Sequence, residues 1–169
     1  NQTGSTTVAT TLLLAELAKI SVFATGGIGG AHKGSEINFD ISADLKQLSS
    51  SPLIVVCAGP KAILDIPKTV ELLETFGVSL ITYQSKNVPA FWSRDSSIKS
   101  TIVAETVDEI VQSHLIRANL GLKAAQLICN PIPVEHEIAA SVIEPVIDQA
   151  ITMGTKLKIP GKALTPYLL

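Results

Sequence analysis

Two cysteines in 169 residues are too few for a disulfide framework. Cys57 and Cys129 each close a short apolar run that reads as a buried strand, which points to a reducing, cytoplasmic setting. Charge is scarce as well, at 17% of residues with a net charge of -2. The 13 lysines and arginines are scattered without a basic run. A nucleic-acid polymer, which needs a concentrated basic face, is therefore not an expected partner. Long apolar runs are missing too: all fall far short of the roughly 20 residues that span a bilayer, so no membrane partner is expected. What remains is an ordered chain, 46% hydrophobic and long enough to bury one substantial core. A small anionic ligand would need only a local site.

The apolar pattern alternates between two periods. Residues 7–19 carry Leu12, Leu13, Leu14 and Leu17 at helical spacing behind Gly4, Ser5 and Thr6, and 21–25 follow as a short strand. Residues 53–57 are apolar throughout, as in a parallel strand covered on both faces. Pro60 suits the first turn of one helix and Pro67 that of a second, which Gly77 stops. Further strands are expected at 78–83, 101–104 and 126–130. Helices are expected at 106–119 and at 135–153, the latter broken at Pro145. The alternation predicts one α/β domain over residues 1–169, a layered fold with a mostly parallel central sheet flanked by helices. The chain opens on Asn1, and residues 165–169 read as the start of a helix, so a piece of a longer protein, incomplete at both ends, is expected.

Ligands of such sheets gather at the carboxyl ends of strands. Thr25-Gly26-Gly27, Cys57-Ala58-Gly59-Pro60-Lys61 and Cys129-Asn130-Pro131 all stand there. The glycine stretch fits neither familiar phosphate motif: GxGxxG finds His32 at its third glycine, and in the GxxxxGK register Lys33 precedes Gly34-Ser35 instead of following a glycine. It reads either as backbone amides free to approach an anion, with His32 and Lys33 adding charge, or as a mobile connection. Asp40 and Asp44 read as a pair of oxygens for Mg²⁺ or Mn²⁺, or with Asp40 as a helix cap. Lys61, just past an apolar strand, reads as a desolvated amine able to attack a carbonyl, or as a surface lysine paired with Asp65. Thr6, Thr7, Thr10 and Thr11 either offer a phosphate the amides of a helix start or simply cap it.

In order along the chain, GSTTVATT at 4–11, VFATGGIGGAHKG at 22–34, FDISADL at 39–45, VVCAGPKAILDI at 55–66, LETFGV at 73–78, NPIP at 130–133 and GKALTPYLL at 161–169 resemble the pseudouridine-5'-phosphate glycosidase family. The resemblance implies a glycosidase, or lyase, that reversibly cleaves the carbon–carbon bond of pseudouridine 5'-phosphate to uracil and ribose 5-phosphate, with a divalent cation, usually Mn²⁺, in a homotrimer. It implies Lys61 as the catalytic lysine forming an imine-type adduct, Asp40 as the metal ligand, and Ser42, Ala43, Asp44 and Val8 as substrate contacts. Thr7, Thr25 and His32 join them from their positions. The family's proton-donating glutamate and a substrate-binding lysine precede the part that aligns with Asn1. The chain alone is therefore expected to be inactive. The alternative is a non-catalytic module that binds sugar phosphate or forms oligomers.

Overall fold

The computed structural model describes Gly4, Thr6, residues 8–157, Ile159 and Tyr167. Thr7 and most of the helix start expected at 165–169 lie outside the described residues. Five strands form one parallel sheet: β1 (Val22–Ala24), β2 (Ile54–Cys57), β3 (Ser79–Tyr83), β4 (Val103–Ala104) and β5 (Gln126–Cys129), in the spatial order β1-β2-β5-β3-β4. The α/β reading is correct. β2 and β5 are central, and their register sets Cys57 opposite Cys129. Both thiols are buried and free. The neighbouring Cys57 and the loss of water push the Cys129 thiol well above its usual pKa.

One face of the sheet carries α1 (Val8–Leu17), α3 (Ala43–Leu48) and α4 (Ile66–Thr75). Val8, Leu12, Leu45, Leu48 and Leu73 meet Val55, Cys57, Leu127 and Cys129 in the main core. On the other face α5 (Val107–Asn119) sets Ile110 against Ile54, Ile81 and Ile128. A short helix, α2 (Ser35–Asn38), lies between β1 and α3, and α6 (Ala140–Lys156) follows β5.

Several local expectations change. Pro60 begins no helix. Gly59 turns the chain at φ +97°, and the amide of Lys61 donates to the Ile28 carbonyl at 3.1 Å, so this backbone pairs with the glycine segment instead of coiling. Pro67 does stand in the first turn of α4, whose N-cap is Asp65. The Thr106 side chain caps α5 by accepting from the Glu109 amide. Residues 134–136 form only a 3₁₀ turn, and α6 runs on through Pro145 instead of breaking there, giving up one backbone bond.

Residues 86–100, where no element was expected, fold back over the strand ends. The Phe91 amide donates to the Ala58 carbonyl, and the Pro89 carbonyl presses on Gly59. A Cβ at Gly59 would meet that carbonyl oxygen at 2.3 Å. Gly59→Ala is therefore expected to destabilise the chain by about 2 kcal/mol or more, through overpacking and the positive φ together. Urea denaturation measures this, and an unchanged midpoint contradicts the packing.

Candidate functional site

The glycine segment is not a mobile connection. Residues 27–31 are all buried, and they form a rail with pairing partners on both sides. On one side Ile28 bridges to Pro60, His32 bridges to Leu64, and the Asp65 amide donates to the Ala31 carbonyl. On the other, the Ser42 amide donates to the Gly30 carbonyl, the His32 amide donates to the Asp40 carbonyl, and Ala31 bridges to Ile41. Lys61 and the Asp40–Asp44 segment, 17 residues apart at their closest in sequence, thus flank one rail.

The rail needs glycine because its neighbours come too close for side chains. A Cβ on Gly29 would lie 2.3 Å from Ser42 Oγ, and one on Gly30 would lie 2.4 Å from Thr69. Buried Thr69 itself accepts from the Ala31 amide through Oγ1 at 3.0 Å.

Asp44 locks this arrangement. The residue is only 5% exposed. Oδ1 accepts from the Ala9 amide at 2.9 Å and Oδ2 from the Gly29 amide at 2.8 Å. The charge thus sits at the start of α1, where a helix leaves amides unpaired and its dipole favours an anion. Ser42, not Asp40, caps α3: its Oγ accepts from the Asp44 amide at 3.2 Å. Ala43 is exposed at the first position of α3, and the Val8 side chain is buried in the core.

Asp40 is held by its backbone, its amide donating to Asn38 Oδ1 at 2.9 Å. Its carboxylate accepts no hydrogen bond among the described residues. Thr25 is anchored at the end of β1 by its amide, which donates to the Val56 carbonyl at 2.9 Å. His32 is half-buried on the rail.

The Lys61 amine makes no ion pair among the described residues, and the proposed pairing with Asp65 does not form. Asp65 pairs with Lys68 at 3.0 Å, because α4 brings that ammonium back over its own N-cap. Lys33 supplies no free charge to the rail either; its ammonium pairs with Asp148 of α6 at 2.6 Å.

Sequence reasoning missed Phe91. Its ring covers Gly26 and Gly27, and a Cβ on Gly27 would meet it at 2.6 Å. Its φ of +63° is rare for a bulky residue and marks a constrained position at the rim of the strand ends. The signal available was an aromatic pair, Phe91-Trp92, in a chain that is only 4% aromatic. Two surface grooves of about 390 and 380 Å³ lie elsewhere, under residues 70–102 and beside α6, and neither is lined by Lys61, Asp40 or Asp44.

Lys61 and the Asp40–Asp44 segment thus stand in loops that follow strands of a parallel α/β sheet, where ligands of such sheets gather. The model of the family described as "Indigoidine synthase A like protein" matches residues 1–169, and the chain belongs to that family. It is 52% identical over 98% of its length to a pseudouridine-5'-phosphate glycosidase of Jannaschia sp., and 48% identical over 98% to one of Staphylococcus aureus. It covers 55% and 54% of those proteins, so the chain spans about half the length of these curated relatives. Among solved structures, the prealnumycin C-glycosynthase AlnA in complex with ribulose 5-phosphate superposes with a TM-score of 0.91 at 33% identity, covering 98% of this chain and 54% of that one. An indigoidine synthase A-like protein of Thermotoga maritima gives 0.86 at 34% identity, covering 96% of this chain and 52% of that one.

Two predictions follow from the rail. Asp44→Ala leaves two amides without an acceptor and should cost about 3 kcal/mol, since each orphaned buried donor costs roughly 1–3 kcal/mol. Amide hydrogen exchange at Ala9 and Gly29 should accelerate, and unchanged protection there would remove Asp44 from its central place. Asp65 gives a pH dependence. Partial burial raises its pKa, but hydrogen bonds from the Lys68 amide and ammonium outweigh this and hold the carboxyl below its usual range. Its stabilising contribution is therefore present above that range and lost as pH falls through it and below. Acid titration of stability should show a smaller loss for Asp65→Asn than for the parent chain.

Proposed function

We infer that this chain carries the lysine-bearing half of a pseudouridine-5'-phosphate glycosidase, in which Lys61 is the nucleophile. The observation that supports this most is the rail that brings Lys61 and the Asp40 carboxylate, neither of them paired among the described residues, to the two sides of one buried backbone segment. The half-length match to glycosidases at about 50% identity supplies the substrate class.

The chemistry requires an amine. Uracil joined through carbon is a poor leaving group, and the ribose ring oxygen alone cannot absorb the electron demand of breaking the bond. In cleavage, the Lys61 amine displaces the ring oxygen at the anomeric carbon and opens the sugar. A general acid then protonates the uracil carbon, the carbon–carbon bond breaks towards that carbon, and the nitrogen lone pair closes an iminium on the sugar. Water hydrolyses the iminium, releasing ribose 5-phosphate and the free amine. Synthesis runs the same steps backwards.

The remaining residues bind and orient. At the start of α1 Asp44 takes the Ala9 amide, and the phosphate would rest on the amides of that turn that Asp44 leaves open. With the Val8 side chain in the core, contact at that position comes from its main chain. Ser42, Ala43 and the Asp44 main chain border the sugar, with Thr25 and His32 at the strand end and rail. Asp40 would hold Mn²⁺ or a similar hard cation. Its carboxylate has no protein partner among the described residues and leaves positions for waters and substrate oxygens; no cluster of three or more His, Cys, Asp or Glu stands among those residues, so Asp40 would be the ion's one ligand from them. When bound, the cation supplies charge neutralisation for the phosphorylated sugar. The general acid belongs to the segments that the relatives carry in addition, and assembly as a homotrimer and a cytoplasmic location are part of the same proposal.

The test uses this chain joined to the additional segments of a relative. With uracil, ribose 5-phosphate and Mn²⁺ it should form pseudouridine 5'-phosphate, and Lys61→Ala should lower the rate by at least about 10³-fold, as losing a covalent nucleophile does. A Lys61→Ala protein that retains its rate removes the assignment. The 169-residue chain alone should show no turnover.

A further inference from the structure

The two faces of the sheet are unequally covered, and the handedness of the connections explains why. A right-handed crossover puts its helix on the face set by the direction in which the chain moves across the sheet. From β1 to β2 and from β2 to β3 the chain moves one way across the order β1-β2-β5-β3-β4, and α3 and α4 accordingly share one face, with α1 beside them. From β4 to β5 it moves back, and α5 lies on the other face. Among the described strands this is the single reverse step. α6 does not add to that face: it packs on Ile63, Leu64 and Trp92 at the strand-end loops.

Over β1 and β2 the second face therefore carries no helix among the described residues. Val22 is 55% exposed, and with Ile54, Val56, Ile128 and Val111 it lines an apolar groove of about 290 Å³ alongside α5. Parallel sheets are stable when both faces are covered.

We propose that this groove seats an amphipathic helix supplied by the polypeptide that the relatives carry beyond the part matched here. Three observations favour that occupant over a second copy. The groove's floor is formed by β2 and β5, the central strands, so it continues a domain core. The relatives have nearly as much chain outside the match as within it. The missing cover is what one more reverse crossover would provide. This inference is independent of the reaction assigned to Lys61.

Thiol labelling tests it, because Cys57 and Cys129 are buried and stay silent. Val22→Cys and Val111→Cys lie in the groove, and Ile37→Cys, at an 84% exposed position on α2, is the control. Each chain is produced alone and together with the unmatched segments of the Jannaschia relative as separate polypeptides. The segments should co-purify with the chain, and labelling of Val22→Cys and Val111→Cys by a disulfide reagent should slow by about tenfold or more, with Ile37→Cys unchanged. Segments that fail to associate, or associate without slowing the labelling, overturn the proposal. So does equal slowing produced by raising the concentration of the chain alone, which makes a second copy the occupant.

Discussion

The carboxylate of Asp44, buried between the Ala9 and Gly29 amides, is the contact on which the site depends. A buried charge persists only where hydrogen bonds and opposite partial charge replace the water it loses. Here both come from backbone: two N–H donors, one of them at the positive end of α1. The result joins three pieces far apart in sequence, the first helix, the glycine rail and α3. With the rail fixed, Lys61 and Asp40 are placed by main-chain pairing on its two sides, the Asp40 amide held further by the Asn38 side chain.

This economy explains the composition of the stretch at 26–34. Its glycines accommodate Ser42, Asp44, Thr69 and the Phe91 ring, all of which approach where a Cβ would stand. The usual association of clustered glycines with flexibility fails because the space they leave is filled from outside. A phosphate loop uses its glycines to approach a ligand; this rail uses several of them to approach its own chain.

Much of the architecture was legible in the sequence. The run 53–57, apolar at every position, and the apolar centre of 126–130 announced parallel strands, and Pro67 and Gly77 marked the ends of α4. Placing Thr25 and Lys61 just past the ends of β1 and β2 also followed from the strand pattern, whereas the pairing of Asp40 and Ser42 with the rail did not. Pro60 misled because a proline that suits a helix start equally suits a loop whose amides pair elsewhere, as Lys61 does with Ile28. The Lys61–Asp65 pairing failed for the same reason, since it presumed a helix between them. Phe91 and the Lys33–Asp148 pair were invisible because they depend on segments separated by 64 and 115 residues, and no local period encodes such meetings. Val8 was legible as a position but not as a side chain facing inward.

The central claim is that Lys61 attacks the anomeric carbon of a ribose phosphate. Borohydride reduction of the chain, joined to its relatives' additional segments and incubated with ribose 5-phosphate, followed by peptide mass spectrometry, tests it most directly. The account predicts a stable adduct on the peptide containing Lys61 and on no other lysine. An adduct on a different lysine, or none under conditions where the protein turns over, contradicts it.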